Sequence, residues 1–160
     1  MAEYLLRDML KRRGSGPDPF SISSAGLYAL DGQQAAPEAV ATLRERGVDL
    51  APHRSRRLSG EMVEETDLLL TMTRRQKTEV ERKWPEASPR KVFTLKEYVT
   101  GEPSDPEERR SGKKSWEEEE ERYDILDPYG AVQVTYDSCA REIEELMRKL
   151  ASLLEREEKR

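Results

Sequence analysis

One cysteine and one histidine stand in 160 residues. A single thiol excludes an internal disulfide and a cysteine-built zinc site, and a single imidazole excludes a histidine-rich metal centre. Positive charge is not in excess: 28 Lys and Arg face 33 Asp and Glu, for a net charge of −5. No basic field therefore points to nucleic acid or to an anionic membrane. Long hydrophobic runs are missing too. None approaches the ~18 residues that a membrane-spanning helix needs, and no basic-then-apolar leader opens the sequence. These absences predict a soluble, single-domain, cytoplasmic protein with no metal, no cofactor, and no nucleic-acid or membrane partner.

Charge itself is abundant. Charged residues make up 38% of the chain and hydrophobic residues 35%, with a mean hydropathy of −0.91. Much of the charge is local: residues 102–122 hold 14 charged side chains in 21 positions, five of them consecutive glutamates. Such a segment cannot offset its ordering entropy by burial. It predicts one domain over residues 1–160, interrupted by a charged, disordered insertion at 101–122.

Outside that insertion the pattern alternates between helical and strand periods. Ala2, Leu5, Leu6, Met9 and Leu10 recur at helical spacing. Arg12 and Arg13 suit the last turn, and Gly14 suits the residue after it. Residues 20–24 (FSISS) alternate like a short strand. Pro37, at a first turn, opens a helix through Val40 and Leu43 that stops at Gly47. A short helix is expected over residues 58–65. Residues 67–72 (DLLLTM) read as a strand buried on both faces. Thr73 with Gln76 and Thr94 with Glu97 are capping boxes, each opening a helix. Between them, residues 91–93 read as a third strand. Tyr136, Cys139, Ile143, Leu146, Met147, Leu150, Leu153 and Leu154 form one stripe of a long closing helix. The order helix–strand–helix–strand–helix–strand–helix predicts an α/β fold with a parallel sheet.

Several segments, in this order and spacing, carry a resemblance. They are Met1-Ala2-Glu3 before the apolar stripe; Ser24-Ala25-Gly26; Pro37, Ala39, Leu43, Gly47, Asp49, His53, Ser55, Arg56 and Leu58; residues 67–72; Phe93 to Tyr98; and Asp124 to Gly130. The sequence resembles the low-molecular-weight protein tyrosine phosphatases, and within them the bacterial protein-arginine phosphatase branch. The resemblance implies a three-layer α/β/α fold and hydrolysis of phosphoarginine or phosphotyrosine in a protein substrate, through a phosphocysteine intermediate. It also exposes a departure. Family members open with an apolar strand and a Cys-x5-Arg phosphate loop, and the match begins just after that loop. The expectation is a truncated chain: the first, central strand, the nucleophilic cysteine and the phosphate-binding arginine have no counterpart. A late start codon or a shortened gene would both produce it. The chain as given is then inactive. It would also self-associate through unpaired strand edges.

The resemblance assigns roles residue by residue. Asp127 would be the general acid, protonating the leaving group and then serving as base for the attacking water. Tyr129 would wall the substrate cleft. Ser24 and His53 would hold the phosphate loop by hydrogen bonds. Cys139 fits none of these roles. A Cys-x5-Arg motif would need arginine at 145, where Glu145 stands. Asp137 and Glu142 nearby would raise its pKa. The single cysteine also argues against arsenate reduction, the other activity on this fold, which needs further thiols. The alternatives to a phosphatase are a non-catalytic regulatory or binding remnant of the same fold, or an unrelated α/β module.

Overall fold

The computed structural model describes residues 1–14, 20–86, 90–101 and 122–158. The expected insertion, apart from Gly101 and Arg122, lies outside the described residues. The chain forms two compact units: Met1–Leu58 with Asp127–Arg160, and Ser59–Leu126.

The first unit is built on three helices: α1 (Ala2–Arg13), α2 (Pro37–Glu45) and α6 (Gln133–Glu158), the last joined by the chain's return. In α1 the apolar stripe buries Leu5, Leu6 and Leu10. Glu3 in its first turn and Lys11, Arg12 and Arg13 in its last complement the helix dipole. Gly14 ends it in an extended conformation, its N–H returning to Leu10 O at 2.8 Å. Pro37 stands in the first turn of α2, and Gly47, at φ +75°, turns the chain out of it in the left-handed region. Both helices pack against α6. The α6 stripe buries Tyr136, Cys139, Ala140, Ile143, Leu146, Met147, Leu150 and Ala151, whereas Leu153 and Leu154 are half-buried. Thr42 is fully buried among these apolar groups, and its polarity is satisfied. Its hydroxyl donates to Asp137 Oδ1 at 2.7 Å and accepts from Gln133 Nε2 at 2.6 Å.

The strand expected at residues 20–24 does not form. Among the described residues of this unit the only β pairing is one parallel bridge, Gly26 to Arg57. Alternation makes the segment extended, but a strand exists only beside a neighbour. Here arginine side chains take the carbonyls that a ladder would have used. Arg7 Nη2 donates to Ile22 O, and Arg56 Nε donates to Ser24 O at 2.9 Å.

The second unit contains the parallel sheet. Strand β1 (Leu69–Thr71) pairs with β2 (Val92–Thr94), Leu69 opposite Val92 and Thr71 opposite Thr94. Helix α3 (Gly60–Glu65) is capped by Ser59, whose Oγ accepts the Met62 N–H at 3.2 Å. Helices α4 (Arg74–Lys83) and α5 (Leu95–Thr100) both begin in the capping boxes expected at Thr73 and Thr94. Val63, Val80, Val92, Leu95, Tyr123 and Ile125 are its buried apolar side chains. The Ile125 N–H extends the sheet's end by donating to Met72 O at 2.8 Å. The β1 strand is shorter than the apolar run that announced it, because β2 offers only three partners. Leu69 and Leu70 are half-buried rather than enclosed on both faces. Thus the parallel α/β reading holds, with two of the three expected strands formed among the described residues.

Candidate active site

All four residues assigned by sequence lie in the first unit. Two of them meet the first turn of α1. Ser24 Oγ donates to the Glu3 carboxylate, which also pairs with Arg7 at 3.0 Å. The His53 ring meets the Tyr4 ring edge-on, with centroids 5.7 Å apart and planes at 82°. Burial lowers the His53 pKa, and the positive amino terminus, Arg54 and Arg56 lower it further against the opposing pull of Glu3. His53 is therefore held toward the neutral form at physiological pH.

That shift has a consequence for stability. The unfolded chain binds a proton at His53 more readily than the folded chain does. The stabilisation is complete above the ordinary value of 6.5 and is lost as pH falls below it. Thermal unfolding from pH 7.5 to 5.5 should show the melting temperature of a His53→Gln variant falling less than that of the parent chain. An equal fall in both would mean that His53 is not the group responsible.

The other two residues lie in the segment leading into α6. Asp127 is exposed, and its Oδ1 accepts the Tyr129 N–H at 3.0 Å. This closes an Asx turn whose next corner is Gly130, at φ +79°. Pro128 is buried inside the turn, while Tyr129 stands 83% exposed above it. Tyr129, Gly130 and Tyr136 line one side of a cleft of about 650 Å³, and residues 32–38 line the other.

The loop wall is fixed by a run of hydrogen bonds to residues 55–57. Gly32 N donates to Ser55 O at 2.8 Å, and Gln33 N to Ser55 Oγ at 3.0 Å. Ser55 N returns a bond to Gln33 O at 2.9 Å, and Arg57 N donates to Asp31 Oδ1 at 2.7 Å. The cleft is therefore organised before any ligand arrives.

Tyr136 was legible in the sequence only as part of an apolar stripe. In the structure its phenol is hydrogen-bonded to the Gly130 backbone. Burial raises its pKa most, followed by the carboxylate of Glu38, and the Gly130 bond opposes the rise. Asp127 and Tyr129 raise it further. The available signal was a hydroxyl-bearing side chain at the head of an otherwise aliphatic stripe.

Cys139 is buried. Its thiol is pushed up by burial first, then by Glu142 and Asp127. Asp137, also expected to act on it, has other partners. That carboxylate is turned to the Thr42 hydroxyl and the Gln133 amide, which hold it below its ordinary range. A buried thiol with a raised pKa is poorly suited to nucleophilic attack. Among the described residues no group of three or more His, Cys, Asp or Glu is placed to hold a metal. No helix among them is long and apolar enough to cross a membrane.

Comparison with known proteins adds a family pattern to this geometry. Residues 1–160 match the family described as low molecular weight phosphotyrosine protein phosphatase. The chain is 34% identical over 157 residues to a protein-arginine-phosphatase of Bacillus subtilis, covering 98% of this chain and 89% of that protein. It is 37% identical over 106 residues to a probable low molecular weight protein-tyrosine-phosphatase, EpsP, of Ralstonia nicotianae, covering 66% of this chain and 68% of that protein. Among solved structures it is similar to the YwlE arginine phosphatase from Geobacillus stearothermophilus. That match has a TM-score of 0.76 at 30% identity and covers 98% of this chain and 84% of the other.

Proposed function

The chain belongs to the low molecular weight phosphotyrosine protein phosphatase family, and from that membership we propose that it serves the hydrolysis of phosphoarginine in proteins. A protein-arginine-phosphatase relative, 34% identical across 98% of this chain, supports this choice of substrate. The observation that carries the reading is the Asp127 turn. It presents an exposed carboxylate beside an exposed aromatic ring at the mouth of a preformed cleft. In this reading Asp127 gives its proton to the leaving nitrogen as the phosphoryl group passes to a cysteine thiolate. As the carboxylate it then takes a proton from the water that hydrolyses the phosphocysteine. Tyr129 flanks the substrate side chain. Ser24 and His53 position the first turn of α1 through Glu3 and Tyr4.

The thiolate is not supplied by these 160 residues. Their one cysteine, Cys139, is buried with a raised pKa, and Glu145 occupies the position where a Cys-x5-Arg loop needs arginine. We propose that these 160 residues alone are inactive, because they hold no Cys-x5-Arg segment to supply the nucleophile. The same buried thiol favours a second reading, in which the chain is a non-catalytic binding remnant.

One experiment separates the readings. The purified 160-residue chain should hydrolyse neither phosphoarginine nor phosphotyrosine peptides above buffer. The chain extended by a strand and Cys-x5-Arg segment from a family member should hydrolyse phosphoarginine in preference. Turnover by the unextended chain that disappears in Cys139→Ser would overturn the assignment. An extended chain that stays folded but silent would favour the remnant.

A further inference from the structure

We propose that the first unit carries a second ligand site, an arginine-rimmed pocket at the C-terminal end of α1 that binds a small molecule bearing two or more phosphate groups. The pocket encloses about 300 Å³. Four guanidinium groups surround it: Arg12 and Arg13 from the last turn of α1, Arg46 from the end of α2, and Arg148 from α6. The α1 dipole accounts for cations at Arg12 and Arg13. Arg46 likewise sits at the C-terminal cap of α2, donating to Thr42 O, whereas Arg148 arrives at the same cavity from within α6.

The charges are held in place but not balanced. Arg12 Nε pairs with Asp8 at 2.8 Å. Arg46 is fully engaged, Nε with Glu144 at 3.4 Å, Nη1 donating to Thr42 O at 2.8 Å and Nη2 to Asp137 O at 3.3 Å, so it contributes charge rather than a free fork. Arg148 pairs with that same Glu144, so one carboxylate serves two guanidinium groups. Arg13 Nη1 lies outside this set, on Ser152 Oγ at 3.0 Å and 3.8 Å from Glu155. Four arginines line the pocket and meet three carboxylates, Asp8, Glu144 and the Glu155 that pairs with Arg13. The two outermost side chains, Arg12 and Arg148, remain 63% and 55% exposed. The exposed guanidinium groups of Arg12 and Arg148, backed by the charge of Arg13 and Arg46, suit phosphate oxygens, which guanidinium forks bind in bidentate fashion. Beneath them Leu5 and Val48 are buried and form an apolar floor, on which the ligand's non-ionic part can rest.

The site is separate from the Asp127 cleft and independent of the phosphatase reading. The two share no lining residue.

Isothermal titration of the full chain with ATP, inorganic pyrophosphate and adenosine at low ionic strength tests the site. ATP and pyrophosphate should bind and adenosine should not. ATP binding more tightly points to a nucleotide on the apolar floor, and equal affinities point to the anion alone; both support the site. Arg12→Gln and Arg148→Gln should each weaken binding about ten-fold, and rising salt should weaken it further. Glu144→Gln should tighten it, a gain that a folding defect cannot imitate. Binding of neither anion would overturn the proposal. So would affinities unchanged in both arginine variants, or affinities that respond to Asp127→Asn instead.

Discussion

In the chain extended by a Cys-x5-Arg segment, Asp127→Asn is expected to lower kcat on phosphoarginine by ~10²–10⁴-fold. The leaving nitrogen is a poor leaving group until it is protonated, so loss of the acid falls on the bond-breaking step. Asparagine is the informative substitute, since Asp127 also builds the turn by accepting the Tyr129 N–H. The asparagine side-chain oxygen can accept the same bond, and asparagine favours the same Asx turn. The turn and the exposed position of Tyr129 should persist, leaving KM nearly unchanged while kcat falls. An activated aryl phosphate, whose phenolate departs without a proton, should lose far less than phosphoarginine does. A uniform loss on both substrates, or a rise in KM with kcat intact, would assign Asp127 to the turn alone. Tyr129→Ala should show the opposite split, raising KM more than it lowers kcat.

Features that depend on local hydrogen bonding were legible in the sequence. Thr73 with Gln76 and Thr94 with Glu97 announced two helix starts, and both boxes form. A capping box closes within four residues and needs nothing from the rest of the chain. The α6 stripe was legible for a similar reason, being set by helical period alone. Residues 20–24 show where local pattern ends. The alternation of Phe20 to Ser24 gives an extended chain, but pairing depends on a distant neighbour, and arginines from elsewhere take the carbonyls instead.

The surroundings of Cys139 show the same limit in electrostatics. Asp137 is two residues away and therefore projects from another face of α6, whereas Glu142, at three, shares the cysteine's face. Asp127 acts on the thiol only because the chain folds back at the Asp127 turn, which no sequence spacing reveals. The candidate site divides likewise. Asp127, Tyr129, Ser24 and His53 came from a spaced family pattern. Tyr136 and the loop wall at 32–38 emerge only when the turn is placed against α6.

The largest stability effect is expected at Glu97, where a helix cap and a buried charge share one side chain. Glu97 is 4% exposed. One carboxylate oxygen accepts the Thr94 N–H at 3.0 Å, completing the capping box of α5. Both oxygens accept from Lys77 Nζ at 2.9 Å, and the ammonium sits 5.7 Å from the Phe93 ring centroid. Glu97→Ala removes the acceptor for a buried N–H and leaves the Lys77 ammonium without its carboxylate in a largely enclosed site. Breaking one side of a buried pair costs ~3–5 kcal/mol, a large share of the ~5–15 kcal/mol of a typical domain. Glu97→Gln keeps the acceptor for Thr94 and loses only the charge, so its cost should be smaller. Replacing the pair together, Lys77→Met with Glu97→Leu, should recover stability relative to Glu97→Ala, because no charge is then left behind. Urea unfolding followed by circular dichroism would rank the three variants. A Glu97→Ala chain within ~1 kcal/mol of the parent would show that water reaches Lys77 and that the pair behaves as a surface salt bridge.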